Sequence, residues 1–205
     1  MRKILVLAMA VLLLLPSFAF AEEATEWLYT HPEKGYQIRF PDGFLLVTGD
    51  NLDAVLELID DGEIDDATSA IVRSATNVIA SSNSVMIIAP DNELNLVIAF
   101  DEYGETFSTD VLIHEACPMF IEMYEERFPG FQTINPGTVW EVNGLEFVIF
   151  IGSAIVDGEE KLISQAFLSA NDTLYSLAFT MLASADFEAM DVLSAEMIAS
   201  FIPAG

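Results

Sequence analysis

Two hydrophobic periods take turns along the chain. Tyr36, Ile38 and Phe40 alternate with Gln37 and Arg39, a period of two that turns three apolar side chains to one face of a strand. With an earlier strand over residues 27–30 and the turn PEKG between them, this stretch predicts a hairpin that begins a sheet. Pro41, which has no backbone donor, ends the second strand. The period then lengthens. Leu52, Val55, Leu56 and Ile59 stand at i, i+3, i+4 and i+7, the apolar stripe of a helix. Asp50 or Asn51 suits its N-cap, Asp53 suits the positive end of its dipole, and Gly62 stands where it would stop. A second helix is expected after Asp66, with Ala67, Ile71, Ala75 and Val78 inward. SVMIIAP and LNLVIAFD then flank PDNE as a hairpin.

TDVLIHEACPMFIEMYEERFPG is helical in composition but holds Pro118. An interior proline removes one backbone bond and collides with the preceding turn, at a cost of about 3 kcal/mol. The segment must therefore kink near Cys117 or begin its helix proper at Pro118. Either way, Phe120, Ile121, Tyr124 and Phe128 face the core, and Glu122, Glu125 and Glu126 face water. From Thr138 onward a meander is expected, with strands joined at Asn143-Gly144, Asp157-Gly158 and Asn171-Asp172. Asn-Gly is the strongest of these signals because both residues tolerate positive φ. Residues 147–151 are apolar on both alternating sets and need cover on both faces. A last helix begins near Ser184, with Phe187, Met190, Leu193, Met197 and Phe201 at three- and four-residue steps.

Hairpin-linked strands with helices in the middle and at the end define an α+β fold, a central antiparallel sheet. The doubly apolar strand places helices on both faces, an α/β/α sandwich. Here the chain resembles the PsbP-like/Mog1-like superfamily of small exported bacterial proteins of undefined role. THPEKGYQIRFPDGF, WEVNGLEFVIF, LYSLAFT and the ending MIASFIP carry the resemblance across most of residues 22–205. The acidic region 50–80 has no counterpart in it and reads as a helical insertion. The resemblance implies a sheet between helical layers and an accessory or binding role in place of an enzyme. It offers no catalytic or ligand motif, so no functional residue carries over.

The N-terminus changes the picture of location. MRKILVLAMAVLLLLPSFAFA has basic residues at 2 and 3, an apolar run too short for a membrane span, and Ala19 and Ala21 before a cut. Residues 1–21 read as a secretory signal peptide and residues 22–205 as one domain, secreted or extracytoplasmic. Cleavage removes two of the seven basic residues and leaves all 33 acids. That field repels nucleic acid and anionic lipid; it keeps the chain in solution and permits basic partners or divalent cations. With Cys117 as the sole cysteine, the apolar core and not a disulfide must hold the fold.

Candidate chemistry is sparse. His114 and Cys117 are three apart, the spacing of a thiolate–imidazole pair or half a metal site, but His31 is the only other histidine and a packed thiol is expected. IDDGEIDD fails the EF-hand pattern, since aligning Gly62 to its glycine places Ile59 where an oxygen ligand belongs. A looser cation site drawn from Asp60, Asp61, Glu63, Asp65 and Asp66 is one alternative reading. IGSAI around Ser153 lacks the second glycine of a nucleophile elbow. NDT at 171–173 matches a glycosylation acceptor. The leading reading is a non-enzymatic exported accessory or binding protein with a protein or small-ligand partner and no cofactor. The alternatives are a hydrolase of envelope or extracellular polymers using two carboxylates, and a divalent-cation module at residues 60–66.

Overall fold

The computed structural model describes residues 26–81, 84–156, 158–183 and 187–205. The signal segment 1–21, Asp157 of one expected turn, and Ser184, the expected start of the last helix, lie outside the described residues.

β1 (Glu26–Thr30) and β2 (Gln37–Pro41) form the expected hairpin, but as a two-stranded sheet of their own. This corrects the expectation that they begin the main sheet. Tyr36, Ile38 and Phe40 lie flat in the core shared by the main strands and the last helix, so the hairpin is a cover and not an edge. The outer edge of β2 is occupied from the other end of the chain. Gln37 N–H donates to Ile202 O at 2.8 Å, and Ile202 N–H donates back to Gln37 O at 2.9 Å.

The main sheet has seven strands: β3 (Leu45–Val47), β4 (Val85–Ile88), β5 (Leu94–Glu102), β6 (Gln132–Val142), β7 (Leu145–Val156), β8 (Glu159–Ala170) and β9 (Thr173–Leu182). Their order is β3-β4-β5-β9-β8-β7-β6, and every neighbouring pair is antiparallel. β3 has no clear period in the sequence, being only three residues long. The register assigns the faces. Val85, Ile98, Leu177, Ala166 and Ile149 follow one another across five strands on the face covered by the β1–β2 hairpin and α5 (Phe187–Ser200). Val47, Met86, Val97, Ala178, Gln165 and Phe150 run across the opposite face.

That second face carries two helical covers. At the β3–β4 end lie α1 (Leu52–Asp60) and α2 (Asp66–Ser81), packed on Val47, Met86 and Ile88. At the β7–β8 end lie α3 (Thr109–Val111), a π-helical turn (Leu112–Ala116) and α4 (Cys117–Arg127), packed on Val148, Phe150, Ile163 and Phe167. Antiparallel strands between helical layers are the α/β/α arrangement expected, with residues 50–80 supplying one of the covers.

Local chemistry explains the element ends. Gly62, at φ 75°, closes α1 by donating its N–H to Ile59 O while Glu63 N–H donates to Leu58 O, a Schellman pair. Asn51 stands at the N-cap of α1, yet its side chain turns backward, accepting from Thr48 N–H and donating to Leu46 O. In α2 the buried set is Thr68, Val72, Ala75 and Ile79, while Ala67 and Val78 are exposed and Ile71 is half-buried. The expected stripe was thus turned about one position around the helix. Val72 and Ile79 bury more apolar surface than Ala67 could, and Asp65 pins Thr68 inward. Asn143 and Gly144 turn β6 into β7 at φ 53° and 77° as expected.

Candidate functional site

The backbone departs from regular geometry on both sides of one groove. On the helical side, Cys117 N–H donates to Leu112 O five residues back, the bond of a π turn. Pro118 is the cause. It offers no N–H, and its ring needs the room that a wider turn provides. The sequence posed a kink near Cys117 or a helix proper begun at Pro118; the structure has a π turn over Leu112–Ala116 followed by α4, which begins at Cys117 with Pro118 in its first turn. On the strand side, β6 shifts register twice, between Thr133 and Asn135 and between Asn135 and Thr138. Asn135 Oδ1 accepts from Gly137 N–H at 3.0 Å inside this bulge. Gly137 sits at φ 151°, and a Cβ there would come within 3.5 Å of Cys117 Sγ and 3.8 Å of Ile113 Cγ1. The bulge therefore presses onto the widened turn.

Between them opens a concavity of about 730 Å³. Ile113, Pro118 and Ile121 give it an apolar helical wall that also carries His114, Glu122 and Glu125. Thr133, Pro136 and Gly137 form the opposite wall. The meander was expected only from Thr138, yet β6 begins at Gln132 and runs through Pro136 and Gly137. Proline on an edge strand beside a bulge costs no ladder bond, so the strand continues through it.

A rigid base supports the groove. The Tyr124 ring stacks on Phe131 at 5.5 Å and on Phe128 at 6.0 Å between centroids. Its hydroxyl donates to Gln165 Oε1 at 3.1 Å, and Gln165 Nε2 donates to Ser176 Oγ at 2.8 Å. This chain ties α4 to two central strands, and burial pushes the Tyr124 phenol up to about 12. Phe131 lies directly on Gly152 of β7, where a Cβ would approach its ring to 2.2 Å. Gly152 and Ser153, which resemble part of a nucleophile elbow, are thus strand residues that seat an aromatic ring.

The other sequence candidates fall elsewhere. Cys117 is fully buried, and burial raises its thiol to about 11, so it is a protonated core group. His114 is exposed in the groove and does not share its environment. His31 is buried among Tyr29, Tyr36 and Phe100, with Nδ1 accepting from Glu33 and Lys34 N–H; burial lowers its pKa. In the acidic corner Asp65 caps α2, accepting from Ala67 and Thr68 N–H and from the Thr68 hydroxyl. Asp60 pairs with Arg73, Asp61 is the C-cap of α1, and Glu63 and Asp66 are exposed. No group of three or more His, Cys, Asp or Glu able to hold a metal occurs among the described residues. Asn171 lies in the β8–β9 turn and donates to Ala204 O. Glu122 and Glu125, the two acids of the groove, stand on one wall. Two-carboxylate hydrolysis needs acids flanking the scissile bond, and the facing wall has no titratable side chain among the groove residues.

The fold and the groove together define an antiparallel α/β/α sandwich with an open, acidic and apolar concavity at one sheet edge. No protein-family model and no curated protein matches the sequence. Solved structures do match in fold. Cyanobacterial PsbP (CyanoP) from Synechocystis aligns with a TM-score of 0.60 at 14% identity, covering 92% of this chain and 98% of that one. LpqN of Mycobacterium tuberculosis, described as involved in cell envelope biogenesis, aligns at 0.53 and 12% identity, covering 93% and 99%. The Saccharomyces cerevisiae Ran-binding protein Mog1p aligns at 0.51 and 10% identity, covering 88% and 96%. The chain has the PsbP/Mog1-like fold.

Proposed function

We propose that the protein is an exported, non-catalytic binding or accessory protein that engages a protein partner through the groove between α4 and β6. Residues 1–21 are its cleaved leader, and residues 22–205 are one domain. The convergence of a π turn and a double register shift on the same concavity carries this reading, because both kinds of irregularity recur beside functional sites and here they line one groove. The acids on a single wall favour binding over hydrolysis. Two likenesses of fold support the class by analogy: Mog1p is a Ran-binding protein, and LpqN is involved in cell envelope biogenesis. No helix among the described residues is long and apolar enough to cross a membrane.

The test is site-specific photo-crosslinking in the extracytoplasmic fraction of cells that make the protein. A crosslinker at Glu125 should give a discrete adduct, and one at Asp53 on α1 should not. Equal labelling from both positions, or none from Glu125, overturns the assignment of the groove.

A further inference from the structure

We infer that the occupant of the groove is a cationic amphipathic segment of a protein, with Lys or Arg interleaved with large apolar side chains. The inference rests on the groove being the docking site and adds the chemistry of what docks there. Solvent-facing residues along the π turn and α4 are mainly of two kinds. Glu115, Glu122, Glu125 and Glu126 are exposed acids. The groove itself is walled by apolar Ile113, Pro118 and Ile121 beside Glu122 and Glu125, and Met119 and Met123, exposed at 60% and 42%, stand on the flank of α4 outside it. Methionine on a surface is an adaptable apolar contact that fits partners of varied shape.

The base on α4 is Arg127, at its far end, with its guanidinium 5.7 Å from the Phe128 ring centroid. The facing wall brings Thr133, Pro136 and Gly137, which carry no charge. A purely apolar occupant would strip water from Glu122 and Glu125 without replacing it, and an acidic one would add repulsion. Ammonium or guanidinium groups beside apolar side chains meet both demands. The volume, about 730 Å³, holds a few side chains of a docking segment and not a broad interface. By contrast, α1 also presents acids, but Asp60 is already paired with Arg73 and those acids do not line this groove.

Fluorescence anisotropy with a labelled twelve-residue peptide of Lys and Leu at helical amphipathic spacing tests this. Two control peptides replace Lys by Glu, or Leu by Ser. Because the whole chain is strongly acidic, the decisive comparison is between Glu122→Lys/Glu125→Lys in the groove and Asp53→Lys/Glu57→Lys on α1, which change net charge equally. The groove pair should weaken Lys/Leu binding at least about tenfold and the α1 pair less than about threefold, with both control peptides at least about tenfold weaker on the unaltered protein. Equal weakening by both pairs reduces the effect to the overall field and overturns the proposal, as does absent binding or a Glu/Leu peptide that binds as well. Circular dichroism verifies folding, and Glu125→Gln is the milder variant if the double change unfolds the chain. A partner crosslinked at Glu125 without Lys/Leu binding removes only the cationic assignment. Lys/Leu binding lost in the groove variant without a cellular adduct removes the cellular partner and keeps the groove chemistry.

Discussion

Opposite ends of one sheet face carry helical covers built in opposite ways. The α1–α2 pair is regular: a Schellman pair stops the first helix, Asp65 caps the second, and Leu52, Val55, Val72 and Ile79 close onto Val47, Met86 and Ile88. The α3–α4 run is irregular: a proline, a widened turn and a bulged edge strand leave a concavity, and an aromatic stack with a buried hydrogen-bond chain holds the helix down. The difference shows what regular geometry does. The regular cover leaves only a small concavity of about 210 Å³ at its corner, whereas the cover that departs from ideal geometry twice at one place leaves one of about 730 Å³.

The sharpest way to break the irregular cover is at its seat. Gly152→Ala should cost about 3 kcal/mol, the upper range for overpacking, because the new methyl would meet the Phe131 ring at 2.2 Å and Gln132 O at 3.1 Å. Urea unfolding should show the loss, and the double variant Gly152→Ala/Phe131→Leu should recover part of it. Additive losses would show that the ring does not rest on the glycine.

The hydrogen-bond chain comes next. Tyr124→Phe keeps the aromatic stack but leaves buried Gln165 Oε1 without its donor, a cost of about 1–2 kcal/mol. Hydrogen exchange should rise in α4 and not in α2. A uniform rise would show that the two covers unfold as one unit.

The smallest effect separates the covers by pH. Hydrogen bonds to Asp65, first from the Thr68 hydroxyl, lower its pKa from 3.8, so its stabilisation of α2 is complete above that value and fades as pH falls through the lowered one. Burial raises Cys117 from 9.0 to about 11 and Tyr124 from 10.0 to about 12, so their neutral forms support α4 fully below pH 9 and lose that support as pH climbs toward 12. Acid should therefore loosen α2 first and alkali α4 first. Cys117→Ala should flatten the fall in Tm above pH 9, and an unchanged slope would contradict the burial of the thiol.

Short-range signals made much of the fold legible. Gly62 ended α1, Asn143-Gly144 turned a hairpin, and Leu52, Val55 and Ile59 faced inward, because turn chemistry and period are local properties. What was missed depended on distant neighbours. Val78 and Ala67 fit an inward stripe until Asp65 and Thr68 set the rotation of α2. The start of β6 at Gln132, before the expected Thr138, goes with Cys117 and Ile113, some twenty residues earlier, packing against Gly137. Pro118 announced a helical distortion in advance, but nothing local said that an edge strand would distort to meet it or that a groove would open between them.

The contact between Gln37 and Ile202 also sets an order of events in synthesis. The hairpin near the start of the fold is locked by residues some 160 positions later: Arg39 N–H donates to Ser200 Oγ, and the Tyr36 ring lies 5.6 Å from that of Phe201. Until the ribosome has delivered that far segment, one whole layer has no lock. Closing that layer therefore means closing a loop of some 160 residues, a long-range contact that slows the final step of folding.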